Sequence, residues 1–180
     1  MKLLPRMNYG EDVRIHDSSV IKRPELNHIG NHVLIDGFCW ITARLNLGDF
    51  IHIANHCSII GGKESILKMG HFTTLAAGCR IICCSDEHMG AGLVSPVIPA
   101  EYRDNLLGWH VTLEDFASLA TGVTVYPDVV LGAGSFVLAG AVVAEDTEPW
   151  TVYRGIPAKP YKKRPKEKML EYARALGYDY

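Results

Sequence analysis

The sequence predicts an all-β solenoid in which very short parallel strands coil around one apolar interior, and three observations carry that expectation. Stepping by six from Ile29 meets Ile35, Ile41, Leu47, Ile53 and Ile59; the register resumes at Met69, Leu75 and Ile81, and again at Leu113, Leu119, Val125, Leu131, Val137 and Val143. A second column, mostly small or medium, lies four residues after each: Val33, Cys39, Leu45, Ile51 and Cys57, then Thr73, Cys79 and Ser85, then Ala117, Val123, Val129, Ser135, Ala141 and Thr147. Glycines and turn-prone residues occupy the remaining positions, as in Gly30-Asn31-His32, Asp36-Gly37, Gly48-Asp49, Ala54-Asn55 and Gly132-Ala133-Gly134.

The fourth residue of one hexad precedes the first of the next by two, so both columns share one face of a short strand, where side chains alternate with period two. Three residues then remain to turn a corner, which is where tight-turn chemistry belongs. A helix would need apolar spacing near 3.6, which a strict six does not sustain. Coils of this kind each cover the apolar interior of the next. Three hexads per coil would stack Cys39 on Cys57, as small core residues in one column. The periodicity does not set handedness.

Taken in order, residues 1–28 read as an N-terminal cap holding one preliminary hexad, Ile15 to Ile21, and ending in Lys22-Arg23-Pro24. Caps protect an exposed strand edge. The coils then span 29–152. Between Ile59 and Met69 the register shifts through Gly61-Gly62-Lys63-Glu64-Ser65, implying a small corner loop. A far longer interruption, about 83–110, carries three glycines, two prolines and several charges; long loops on a rigid scaffold usually have a function. The last segment, 153–180, is an exit followed by a short amphipathic helix from Pro165 to Leu176, with Met169, Leu170, Ala173 and Leu176 on one face before Gly177.

Composition narrows the function classes. The chain has 180 residues, 48% hydrophobic and 21% charged, with a formal net charge of −2, which gives no electrostatic reason to expect nucleic acid or an anionic membrane as partner. The opening residues lack the uninterrupted apolar segment of a signal peptide, and no run approaches the roughly 18 apolar residues of a membrane span. Cys39, Cys57, Cys79, Cys83 and Cys84 show neither CxxC spacing nor a disulfide pattern, which suits a reducing compartment. A soluble cytoplasmic protein is expected.

Residues 29–143 and the segment from Val123 to Arg164, with the exit Gly155-Ile156-Pro157-Ala158-Lys159, resemble the hexapeptide-repeat acyltransferases. The resemblance covers well over half the chain and is strongest to the compact sugar and antibiotic acetyltransferases. It implies a left-handed parallel β-helix, a homotrimer with active sites between subunits, and acetyl-CoA or another acyl-CoA as co-substrate, with no metal required. The acceptor it implies is a small molecule, a hydroxyl or amine of a nucleotide-linked sugar or of a surface-polysaccharide precursor. An antibiotic acceptor of the chloramphenicol or streptogramin kind, a metal-dependent hydrase and a non-catalytic scaffold are the alternatives.

Acyl transfer requires the nucleophile to lose a proton, and histidine has the right pKa range to accept it. The resemblance points to His88, in the long loop, as general base, beside Asp86 and Glu87, which would orient it or hold the acceptor. Tyr102, Arg103 and Asp104 are candidates for binding hydroxyls or a phosphate, and Trp109 and Trp150 for covering the acceptor ring or cofactor arm. Matching the last coils to the family places Thr121, Ala139, Ala144 and Lys162 on cofactor-contact positions, with Gly140 and Lys159 nearby; Glu145 stands where relatives often carry lysine. The same fold hosts a zinc-dependent carbonic anhydrase family that needs three converging histidines, and His52 and His56 lack that spacing. His71 and His110 flank the regions leading into and out of the loop.

Overall fold

The structure, a computed structural model, describes residues 8–180 and is a parallel β-solenoid of six complete coils and a partial seventh. Each coil contributes one strand to each of three sheets. The first sheet stacks Asn8–Tyr9, His28–Ile29, Arg44–Leu47, Ile66–Met69, His110–Leu113 and Val130–Leu131. The second runs from Val13–Ile15 through Val33–Ile35, Ile51–Ile53, Thr74–Leu75, Ser118–Leu119 and Phe136–Val137 to Thr151–Arg154, with Lys159–Lys163 added antiparallel. The third stacks Val20–Ile21, Trp40–Ile41, Ser58–Ile60, Arg80–Ile82, Thr124–Val125 and Val142–Val143.

The hexad's first residues form the buried core: Ile35, Ile41, Leu47, Ile53, Ile59, Leu75, Ile81, Leu113, Val125, Leu131 and Val137 are all fully enclosed. Burying each such side chain contributes roughly 1.5–3 kcal/mol. The cysteine column forms as the hexad count requires, because Trp40 pairs with Ser58 and Ser58 with Arg80. The thiols of Cys39, Cys57 and Cys79 each donate to a carbonyl oxygen of the next coil, of Ala54, Ala76 and Ala120, at 3.3 Å. All five cysteines are free. Ser85, which the count placed in the inner column, instead opens a hairpin in which Ser85–Asp86 pairs antiparallel with Leu106–Leu107. The coil has already turned outward there.

Pairing begins at Asn8, within the segment read as a cap: Asn8 lies against His28, Val13 against Val33 and Val20 against Trp40. Residues 8–21 thus form a coil of their own, the Ile15–Ile21 hexad included, and residues 1–7 of that segment lie outside the described residues.

The corner between the first and second sheets does not rely on glycine alone. His32, Phe50, Phe72, Phe116 and Trp150 sit there at φ between 50° and 62°, a left-handed conformation that costs an L-residue about 1–2 kcal/mol. Ring stacking offsets that strain: centroids lie 4.6 Å apart for His32 and Phe50, 5.2 Å for Phe50 and Phe72, and 5.1 Å for Phe72 and Phe116. Gly134 continues the column because a Cβ there would lie 2.4 Å from the Trp150 ring.

The C-terminal segment covers this corner. Helix α1 (Glu167–Ala175) is shorter at both ends than the Pro165–Leu176 expectation: Arg164 is pinned just before it, and Leu176 caps it ahead of Gly177 at φ 91°. The Arg164 N–H donates to Trp150 O, and its guanidinium donates to the carbonyls of Phe116 and Gly134 at 3.0 Å. Met169, Tyr172, Ala173 and Leu176 line an apolar recess with Phe72 and Phe116. Beyond the helix, the Tyr178 hydroxyl donates to Asp49 Oδ2 at 2.5 Å and the Tyr180 hydroxyl to Asp115 Oδ2 at 3.0 Å. The other oxygen of each aspartate accepts a corner N–H from the preceding coil, that of Asn31 and of His71. No helix among the described residues is long and apolar enough to cross a membrane.

Candidate active site

The long loop leaves the solenoid after the Arg80–Ile82 strand, at the corner between the third and first sheets, and returns at His110. Its root is ordered by the Ser85–Asp86/Leu106–Leu107 hairpin and by two bonds joining Glu87 to Asn105: backbone N–H to carbonyl at 2.9 Å, and Asn105 Nδ2 to Glu87 Oε2 at 3.1 Å. Between this root and the coil lies a groove of about 340 Å³. Ile82, Leu107, Tyr126 and Pro127 supply its apolar wall; Ser85, Asp86, Glu87 and His88 supply the polar one.

The structure brings His88, Asp86 and Glu87 together on that groove. His88 is exposed and held at φ 59°. Asp86 is half-buried, and its Oδ1 is enclosed without a hydrogen-bond partner. A buried, unpaired carboxylate oxygen is costly and calls for a donor from a ligand or neighbour. Glu87 is partly committed to Asn105 and so also braces the loop.

The other acceptor candidates lie apart. Tyr102 ends a 3-10 turn, Ala100–Tyr102, with its ring exposed, and Arg103 bridges to Leu93; neither lines the groove. Asp104 is buried with one unpartnered oxygen, Oδ2, while its Oδ1 accepts the Asn105 N–H. Trp109 is half-exposed beside the groove's corner, anchored by its N–H on Asp128 Oδ1 at 2.8 Å. Trp150 packs against Phe116 in the corner column, away from the loop.

The cofactor candidates divide between the two edges of the third sheet. Thr121, Ala139 and Gly140 form one exposed, small-residue edge, joined by Gly140 N–H to Thr121 O at 3.0 Å. Ala144 lies on the opposite edge, across Val142–Val143, and there the exit turn folds back, with Ala158 N–H donating to Val142 O at 2.7 Å. This brings Lys159 to Glu145, whose Oε2 is 3.2 Å from Nζ. The carboxylate at 145 therefore engages Lys159 rather than leaving it wholly open to a phosphate. Lys162, on the antiparallel exit strand, lines a separate recess of about 450 Å³ with Phe136, Tyr161 and Arg164.

The four other histidines singled out from the sequence make contacts within the solenoid and its C-terminal segment. His52 Nε2 lies 2.9 Å from Asp36 Oδ2, and His56 stacks on Phe38. His71 Nδ1 accepts the Asp49 N–H at 2.9 Å, beneath the Tyr178 ring, and His110 Nδ1 lies 3.1 Å from Asp128. The described residues hold no group of three or more metal-ligating side chains.

Sequence reasoning missed Tyr126 and Ile82. The signal was present: each follows a core hexad residue by one, so it faces outward, and Ile81 pairs with Val125. The loop's length hid that adjacency. A wide groove on the first sheet, about 600 Å³, lined by His28, Asn46, Lys68, His71 and Thr112 among others, was also not anticipated.

No family model matches the chain. It is 37% identical over 166 residues to the dTDP-4-amino-4,6-dideoxy-D-glucose acyltransferase of Escherichia coli, covering 90% of this chain and 84% of that one. It is 27% identical over 143 residues to a probable macrolide acetyltransferase of Lysinibacillus sphaericus, covering 71% and 74%. Among solved structures it superposes with TM-score 0.87 and 29% identity, over 94% of this chain and 90% of the other, on a variant of AntD, an N-acyltransferase from Bacillus cereus, in complex with dTDP-4-amino-4,6-dideoxyglucose and coenzyme A. With this architecture and this relationship, the chain belongs to the hexapeptide-repeat acyltransferases, left-handed parallel β-helix enzymes that take their acyl group from an acyl-CoA.

Proposed function

We propose that the protein transfers an acyl group from acyl-CoA to the amine of a nucleotide-linked amino sugar, and that it does so as a homotrimer with active sites between subunits. The observation that carries the acceptor reading is the loop-root groove, which Asp86, a carboxylate with one enclosed oxygen left unpartnered, lines together with the exposed His88. A sugar amine is protonated near neutral pH and must shed a proton before it attacks. Asp86 is suited to hold the ammonium and His88 to take the proton. The amine nitrogen then bonds to the thioester carbonyl carbon, backbone N–H groups at the coil corners stabilise the oxyanion, the C–S bond breaks, and the CoA thiolate leaves with a proton. Similarity to the Escherichia coli and Bacillus cereus enzymes supports an amine on a dTDP-linked sugar as acceptor.

The trimer reading rests on the third sheet. Its outward residues include Trp40 at 49% exposure and Ile60 at 44%, exposed apolar side chains of the kind that mark an association surface. The corner between the other two sheets is already covered by α1 and the C-terminal tyrosines. Free, mostly buried thiols and a CoA donor fit the cytoplasm.

The test is turnover of acetyl-CoA with dTDP-4-amino-4,6-dideoxyglucose by the wild type, His88→Ala and Asp86→Asn, with CoA binding measured in parallel. His88→Ala should lower kcat by roughly 10²- to 10⁴-fold with CoA binding retained. Wild-type turnover with hydroxyl acceptors alone would overturn the amine assignment, and unchanged kcat in both variants would remove the groove from the mechanism.

A further inference from the structure

We propose that Arg80 binds the diphosphate of the nucleotide-linked acceptor at the edge of the loop-root groove, an assignment that rests on the acyl-transfer reading above. Arg80 projects outward from the third sheet between Ser58 and Thr124. It is exposed on a face otherwise made mostly of apolar and hydroxyl side chains. No ion pair or side-chain hydrogen bond engages its guanidinium among the described residues. Three other arginines are occupied: Arg23 donates to Thr42 O, Arg44 to Glu64 O, and Arg164 to the carbonyls of Phe116 and Gly134; Arg103 has no side-chain partner either, but it lies out in the long loop, bridged through its backbone to Leu93.

Position ties this cation to the groove. Ile82 follows Arg80 by two residues, so the two side chains leave the strand on the same side, roughly 6.6 Å apart at about 3.3 Å of rise per residue. Ile82 forms part of the groove wall, and Tyr126, its neighbour through the Ile81–Val125 pairing, forms another part with its ring exposed. A flexible arginine side chain spans that interval readily. Arg80 is not on the groove's lining; extended past Ile82, its guanidinium would set a cation beyond the solenoid end, opposite the carboxylates of Asp86 and Glu87 at the loop end.

That charge pattern selects for a ligand with opposite charges at its two ends. A simple anion would meet Asp86 and Glu87, and a simple cation would leave Arg80 unused. A sugar with an amine on one side of the ring and a diphosphate on the other satisfies both ends. The planar guanidinium fork, which binds phosphate oxygens in pairs, suits the diphosphate. Tyr126 lies between the two ends, where an aromatic face can pack against the sugar ring.

The experiment uses dTDP as the probe, titrated calorimetrically into the wild type, Arg80→Ala and Arg80→Lys, with CoA titrated separately and oligomeric state measured by sedimentation. The wild type should bind both. Arg80→Ala should bind dTDP roughly 10- to 100-fold more weakly, as expected for loss of a hydrogen bond to a charged group, with CoA affinity and oligomeric state unchanged. Arg80→Lys should fall between, since it keeps the charge and loses the fork. Unchanged dTDP affinity in Arg80→Ala would overturn the proposal, as would a loss confined to CoA. A variant that falls apart into monomers would show that the guanidinium pairs with a neighbouring subunit instead. A wild type that binds neither CoA nor dTDP would remove the acyl-transfer reading itself, whereas normal wild-type binding with an indifferent variant removes only this one.

Discussion

Tyr178→Phe isolates one hydroxyl in the C-terminal latch, because phenylalanine keeps the ring that packs 4.9 Å from Phe72 and 5.0 Å from His71. The lost hydrogen bond is charge-assisted, and such bonds contribute about 1.5–3 kcal/mol when enclosed. Asp49 is only 16% exposed, but Tyr178 sits at the surface rim, so water recovers part of the loss and about 1–1.5 kcal/mol remains. In a chain of this length that lowers Tm by roughly 2–6 °C. Tyr178→Ala also removes the ring contacts and should cost at least about 1 kcal/mol more.

The same hydroxyl has a pH signature. Burial and the Asp49 carboxylate push the Tyr178 pKa up to about 12, from an unfolded value near 10. A raised folded pKa means the stabilisation is complete below pH ~10 and disappears as pH rises through about 12. At the acid end, Asp49 is held below its ordinary value; despite the opposing effect of burial, the Asn31 N–H, the Tyr178 hydroxyl and nearby His71 and His32 win. Its share is therefore present above the usual carboxylate range and lost as pH falls through the lowered value. Thermal unfolding from pH 4 to 12, followed by circular dichroism, should show the Tyr178→Phe deficit constant through neutral pH and shrinking progressively between pH ~10 and ~12. Equal Tm values for the two proteins at pH 7, or a deficit undiminished at pH 12, would refute the latch.

Two further outcomes follow from the interior. Leu75→Ala removes a fully enclosed side chain from the middle of the stack and should cost about 2–5 kcal/mol, measured by denaturant unfolding; a loss below 1 kcal/mol would mean that the coils collapse to fill the space. In thiol labelling of the native protein only Cys84, half-buried and with its pKa raised by burial, should react, and slowly; Cys39, Cys57, Cys79 and Cys83 should label only on unfolding, and their rapid native reaction would contradict the packed column.

The sequence by itself determined the solenoid, its three-sheet cross-section and the position of its long loop. A six-residue period leaves one inward pair per short strand and a three-residue corner, and few other folds use that arithmetic. Ile53, Leu75 and Leu119 could be placed in one core column from sequence alone, once the loop was set aside. His88, Asp86 and Glu87 were legible as a group because they are adjacent in the chain.

Tertiary structure decided everything that depends on stacking between coils or on returns from afar. Tyr126 joins Asp86 only because the intervening excursion leaves and re-enters the same corner, so that Ile82 and Tyr126 become neighbours 44 residues apart. The aromatic residues at left-handed corners gave no turn signal, since their strain is offset by rings one coil away. Tyr178 and Tyr180 find Asp49 and Asp115 across 129 and 65 residues, a closure that no local pattern encodes. Local periodicity fixes which way a side chain points, but only the stacked coils fix what it meets there.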